Sequence, residues 1–233
     1  ALLLRLAVLF WRRAHDPLFL QPINDAAVYD TWARSIALGS GHGLPFQPDG
    51  APYFLPPLYP YFTAFFYKFN GGDIWLVMVI QALMGVGTVL GIHHLGVRLH
   101  GDRAGLLAGV AALLTAPTIW YEGWQLPTTL NLFLLVVVLN LLIACVAPDR
   151  NKWSRPGLIR VGLGLALGLA SLNRPQNLLL AALILALIWW VERHGRWRGF
   201  RSPAIVLAVL VLTIAPVTWR NQITSGEPVP ISA

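Results

Sequence analysis

Two acids and two arginines carry the chemistry this sequence can do. Asp25 and Glu122 can each take a proton from an incoming hydroxyl. Arg174 and Arg220 can each hold a phosphate through two parallel hydrogen bonds. Tyr29, Arg34, Tyr59 and Tyr121 accompany them, with side chains that can stack on a sugar or line a groove at a lipid surface. Each residue also has a plainer reading. Asp25 taken alone is a first-turn helix acid. Asp30 and Arg34 are four apart with the acid first, which reads as a surface ion pair. Arg174 and Arg220 border span ends, where snorkelling to headgroups explains either one. Glu122 is harder to set aside, because it lies between aromatic residues with no cation near in sequence, and an unpaired acid at a membrane is costly.

These residues must be positioned by the elements around them. The stretch from Asn24 to Phe69 is the only long segment that is not a continuous apolar run. Asn24 is placed to cap a helix starting at Asp25, with Asp25, Tyr29, Trp32, Ala33 and Ile36 on one face. Gly39, Gly41 and Gly43 end it. A second helix is expected from about Pro60, with Tyr59, Phe62, Phe66 and Phe69 near one side and Gly71-Gly72 closing it. Its aromatic crowding and low charge read as a helix lying in the membrane interface.

The rest is apolar segments joined by short polar loops. Of 233 residues 56% are hydrophobic and 12% charged, half the charge of a soluble domain at ~25%. The mean hydropathy is +0.62. Residues 1–10 read as the trailing half of a first membrane helix, with a signal-peptide core as the alternative. Six spans are expected after the loop: 74–95, 104–120, 126–146, 158–172, 176–191 and 203–219. The whole reads as the N-terminal part of one membrane domain, with residues 12–72 as an external loop.

Basic residues cluster in alternate loops, at Arg98, from Arg150 to Arg160, and from Arg193 to Arg201, which makes those loops cytoplasmic. The outward face then collects Asp25, Glu122, Arg174 and Arg220. Arg12 and Arg13 stand against this rule. The net charge of +7 does not indicate nucleic acid, because the basic residues lie in these loops and not along one polar face. No phosphate-binding glycine loop, dinucleotide fingerprint, serine elbow or HExxH is present. His93 and His94 have no partner ligand at metal spacing. Cys145 is the only cysteine, so no disulfide can form within the chain.

The pattern DAAVYDTWARSIALGSGHG followed by PPLYPYFTAFF resembles the first external loop of GT-C glycosyltransferases. The bacterial branch of the protein O-mannosyltransferase and aminoarabinose transferase superfamily is the nearest resemblance. APTIWYEGWQLPTTL, LASLNRPQNLLL and TIAPVTWRNQITSGEPVPIS fit in the expected order.

The resemblance implies an all-α, polytopic membrane enzyme with two juxtamembrane helices in its first external loop. It implies a polyprenyl-phosphate sugar donor, a lipid, glycan or protein acceptor, and inverting transfer at the periplasmic face of a bacterial inner membrane. Asp25 falls at the family's catalytic acid and Glu122 at its second acid. Arg174 and Arg220 fall where the lipid phosphate would be held. Many relatives carry Asp-Glu where this chain has Asn24-Asp25. A divalent cation, if used, would fall to Asp25 and Glu122. The rival classes are a flippase for lipid-linked sugars, which needs polar residues inside spans where this chain has few, and a non-catalytic membrane scaffold.

Overall fold

The computed structural model describes residues 1–39, 51–146, 156–193 and 198–232, and every regular element among them is helical. The chain divides into two compact units. The first, Ala1–Asp49 with Pro57–Phe133, holds α1 (Leu2–His15), α2 (Asp25–Leu38), α3 (Leu58–Asn70), α4 (Ile74–His100), α5 (Asp102–Leu113), α6 (Ala116–Glu122) and the start of α7 (Thr128–Val146). The second, Gly50–Pro56 with Leu134–Ala233, holds the rest of α7, α8 (Pro156–Asn173), α9 (Asn177–Glu192) and α10 (Arg198–Ser225).

Four helices, α4, α7, α8 and α10, are long and apolar enough to cross a membrane. The 27 residues of α4 rise ~40 Å, more than a hydrocarbon core. Two further expected spans take a different form, and α5 with α6 is apolar and long enough together to be a broken span. Residues 104–120 do not form one helix: the chain breaks between α5 and α6 and bends by 54°. Pro117 supplies the cause. It has no amide to donate and clashes with the carbonyl four residues back, so it cannot continue α5 but is tolerated in the first turn of α6. Thr115 is extended at the break (φ −73, ψ 90). The fifth expected span is α9, whose 16 residues fall short of the ~20 that cross a bilayer unaided.

The loop helices form as expected, with corrections in detail. Gly39 ends α2 in the left-handed conformation (φ 74) and Gly71 ends α3 likewise (φ 67). Gly41 and Gly43 lie outside the described residues. Asn24 precedes α2, but its side chain makes no capping bond, and its backbone adopts φ 53, ψ −132. The buried face of α2 is Ala26, Tyr29, Trp32, Ala33 and Ile36, while Asp25 is exposed. In α3 the buried face is Tyr59, Pro60, Thr63, Ala64 and Tyr67. Phe69 lies off that face with Phe65, and both are exposed.

Close helix contacts depend on glycine. A Cβ on Gly96 of α4 would lie 2.7 Å from Gly105 Cα of α5. In the second unit Gly164 and Gly168, one turn apart on α8, face α10, where a Cβ on Gly164 would lie 2.6 Å from the Val206 carbonyl. That is the small-xxx-small spacing that lets apolar helices approach closely. The segment Gly50–Pro56 belongs with this unit. Its Tyr53 amide donates to Asn221 Oδ1 at 3.1 Å.

Candidate active site

The bend at Pro117 turns α6 so that it forms a wall shared by two cavities. The larger, about 710 Å³, is bordered by the start of α2 at Asn24, Asp25 and Ala26, and by Trp120, Tyr121 and Trp124. The smaller, about 410 Å³, is bordered by Arg5, Gly85, Thr88, Glu122 and Thr129 among apolar residues of α4 and α7. Pro117 and Tyr121 line both. Asp25 thus sits at the first cavity and Glu122 at the second, and Tyr121 is the predicted residue common to them.

Glu122 is not the unpaired acid expected from sequence. Arg5 Nε donates to Glu122 Oε1 at 2.9 Å, and both residues are 1% exposed. The pair fits because α4 presents Gly85 there, where an added Cβ would collide with Glu122 Oε1 and Arg5 Nε. The sequence separation of 117 residues hid this partner.

The buried residues of α1 are Arg5, Leu9 and Arg12, two turns along one face. A half-span read only as apolar missed this face. Arg12 donates to the carbonyls of Trp120 and Gly123, each at 3.3 Å. Its guanidinium lies 4.2 Å from the Trp120 ring centre, 4.8 Å from Phe19 and 5.3 Å from Trp124. Arg13 lies over Trp75 at 4.9 Å. The two arginines that stood against the loop-charge rule therefore have local aromatic partners. Arg12 in particular packs against Trp120 and Trp124, which line the first cavity.

Two glutamines tie the loop helices to α6. Gln81 of α4 donates through Nε2 to the carbonyls of Glu122 and Trp124, each at 2.9 Å. Its Oε1 accepts from the Tyr59 hydroxyl at 3.0 Å. Tyr59 is fully buried and meets Tyr29 edge-on, ring centres 5.4 Å apart. Both tyrosines thus form the interior between α2 and α3. Gln125 donates to the Tyr67 hydroxyl, which donates to Asp30 Oδ1. Burial holds the Tyr67 phenol well above the ordinary tyrosine range, and its bond to Asp30 adds to the shift. Arg34 Nε donates to Asp30 Oδ2 at 2.8 Å, the ion pair expected from spacing.

Arg174 and Arg220 belong to the second unit. Arg174 is half-buried in the turn between α8 and α9. Arg220 lies 3.9 Å from the Tyr53 ring centre and donates to the Ala51 carbonyl at 3.2 Å. The acids do not fit a resident divalent cation. They line different cavities, Glu122 is engaged by Arg5, and among the described residues no group of three His, Cys, Asp or Glu could hold one.

Sequence reasoning missed Arg5, Arg12, Gln81, Trp120, Trp124 and Gln125. The i, i+7 spacing of two arginines in an apolar helix was the available signal for the first two.

The crystal structure of ArnT from Cupriavidus metallidurans bound to undecaprenyl phosphate is similar in fold, with a TM-score of 0.73 at 21% identity. The similarity covers 97% of this chain and 42% of that one, so the chain spans about two-fifths of its length. No curated protein matches the sequence. The family profile described as dolichyl-phosphate-mannose-protein mannosyltransferase matches residues 55–219, from just before α3 to near the end of α10. The chain belongs to this dolichyl-phosphate-mannose-protein mannosyltransferase family.

Proposed function

We propose that this chain is part of a membrane glycosyltransferase that moves a sugar from a polyprenyl-phosphate donor to a lipid, glycan or protein acceptor. The observation that carries the reading is the exposed carboxylate of Asp25 at a cavity walled by Trp120, Tyr121 and Trp124. An exposed acid can take a proton, and aromatic faces stack on sugar rings. Family membership supports the reaction class. The undecaprenyl phosphate bound by the similarly folded ArnT supports the donor class.

In the proposed reaction Asp25 accepts the proton of the acceptor hydroxyl. The hydroxyl oxygen attacks the anomeric carbon from the side opposite the phosphate. The carbon–oxygen bond to phosphate breaks through an oxocarbenium-like state, and the polyprenyl phosphate leaves with the electron pair. One displacement inverts the anomeric configuration. The family resemblance gives the departing phosphate to Arg174 and Arg220, whose guanidinium groups suit that charge. Tyr121 lines the sugar's path. Tyr29, Tyr59 and Arg34 hold the α2–α3 platform that carries Asp25, and Glu122 holds α6. The alternating basic loops support an outward-facing site, and the family resemblance supports the periplasmic face of a bacterial inner membrane.

The class is tested by incubating membranes containing the full-length protein with a panel of radiolabelled polyprenyl-phosphate sugars. The product anomer is then read by NMR. Transfer with inverted configuration is expected. Transfer with retention would contradict single displacement, and sugar crossing the membrane with no new glycosidic bond would indicate a flippase.

A further inference from the structure

We infer that Arg5 is a positioning residue for the reaction above, acting through Glu122 on the wall that α6 provides. The inference rests on that functional reading. Three observations carry it. Arg5 and Glu122 are both buried, with Arg5 Nε bonded to Glu122 Oε1 at 2.9 Å. Glu122 Oε2 is buried and has no hydrogen-bond partner among the described residues. The Glu122 side chain therefore has one anchor, and Arg5 is it. The residues beside this carboxylate are those that shape the larger cavity: Tyr121 precedes it, Trp120 is two before, and Trp124 two after.

Removing one member of a buried pair leaves a charge that must reach water or a new partner. Glu122 lies at the last turn of a seven-residue helix that already follows a break, so α6 is the element that can turn. Gly85 offers a way to disturb the pair without deleting a charge, since an alanine there would occupy the space of Glu122 Oε1 and Arg5 Nε.

The test uses a thiol reporter on the shared wall. Tyr121→Cys is introduced into the full-length protein with Cys145→Ser, and its labelling rate is measured in nanodiscs, a readout that needs no substrate. Arg5→Met and Gly85→Ala should each shift the rate by about tenfold, and Arg5→Lys should stay within about twofold of the parent. Glu122→Gln should match Arg5→Met, and the double variant should shift no further than either single one. With Tyr121 restored, Arg5→Met should lower kcat on the order of a hundredfold with donor KM little changed, and Arg5→Lys should recover most of it.

A labelling rate unchanged by both Arg5→Met and Gly85→Ala would overturn the positioning role. So would single-variant effects that multiply in the double variant. Shifted labelling in a parent protein that transfers no sugar would uphold Arg5's hold on α6 and remove the glycosyl-transfer reading.

Discussion

Arg5 and Glu122 form an ion pair at 2.9 Å across 117 residues, and their side chains are only 1% and 2% exposed. Such a pair contributes little net stability when intact, yet breaking it costs about 3–5 kcal/mol because one charge remains buried and alone. Arg5→Met should therefore lower stability strongly in detergent denaturation. Arg5→Met with Glu122→Leu should recover most of the loss. An Arg5→Met variant as stable as the parent would contradict the pairing.

Arg12 combines two carbonyl contacts with three aromatic rings, a task suited to a planar guanidinium. Arg12→Lys keeps the charge but loses the flat face. It should destabilise by about 2 kcal/mol in equilibrium unfolding, the scale of a desolvated cation–π contact. Full retention of stability would mean that charge alone matters there.

Asn24 holds φ 53 and ψ −132, the only positive-φ residue other than glycine among those described. Such a sparsely populated conformation costs a residue with a Cβ on the order of 1–3 kcal/mol. Asn24→Gly should raise the unfolding midpoint, and Asn24→Val should lower it. The same midpoint for all three would indicate a relaxed backbone at this turn.

Tyr67 makes part of the stability pH-dependent. Its folded pKa is raised above the ordinary value, first by burial and then by its bond to Asp30. The stabilisation is complete below the unfolded pKa of ~10 and is lost as pH rises toward the folded value. Stability should fall with pH above about 10, and Tyr67→Phe should flatten part of that slope in unfolding measured from pH 9 to 12. Parallel slopes for both proteins would contradict the shift.

Much of this organisation was legible in sequence because local rules govern it. Apolar length gave α4 and α7, glycine gave the ends of α2 and α3, and spacing gave the Asp30–Arg34 pair. The break before α6 was also written locally, in Pro117, but a run of apolar residues concealed it. Asp25 is exposed although it shares a helix face with buried Tyr29, Trp32 and Ile36, because it is the first residue of α2 and opens onto a cavity. The partners of Glu122 and Arg12 were not legible, since no local rule links α1 to a helix more than a hundred residues later. Gln81 and Gln125 read as neutral polar residues until their carbonyl and hydroxyl partners are brought to them.

The most direct test compares sugar transfer by the full-length protein and its Asp25→Asn form, in membranes containing equal amounts of each, from undecaprenyl-phosphate-linked sugars. The asparagine keeps the shape of the side chain and removes the base. The expected result is transfer by the parent and a loss on the order of 100–10,000-fold in the variant. Equal transfer by both would contradict the assignment of Asp25 as the base.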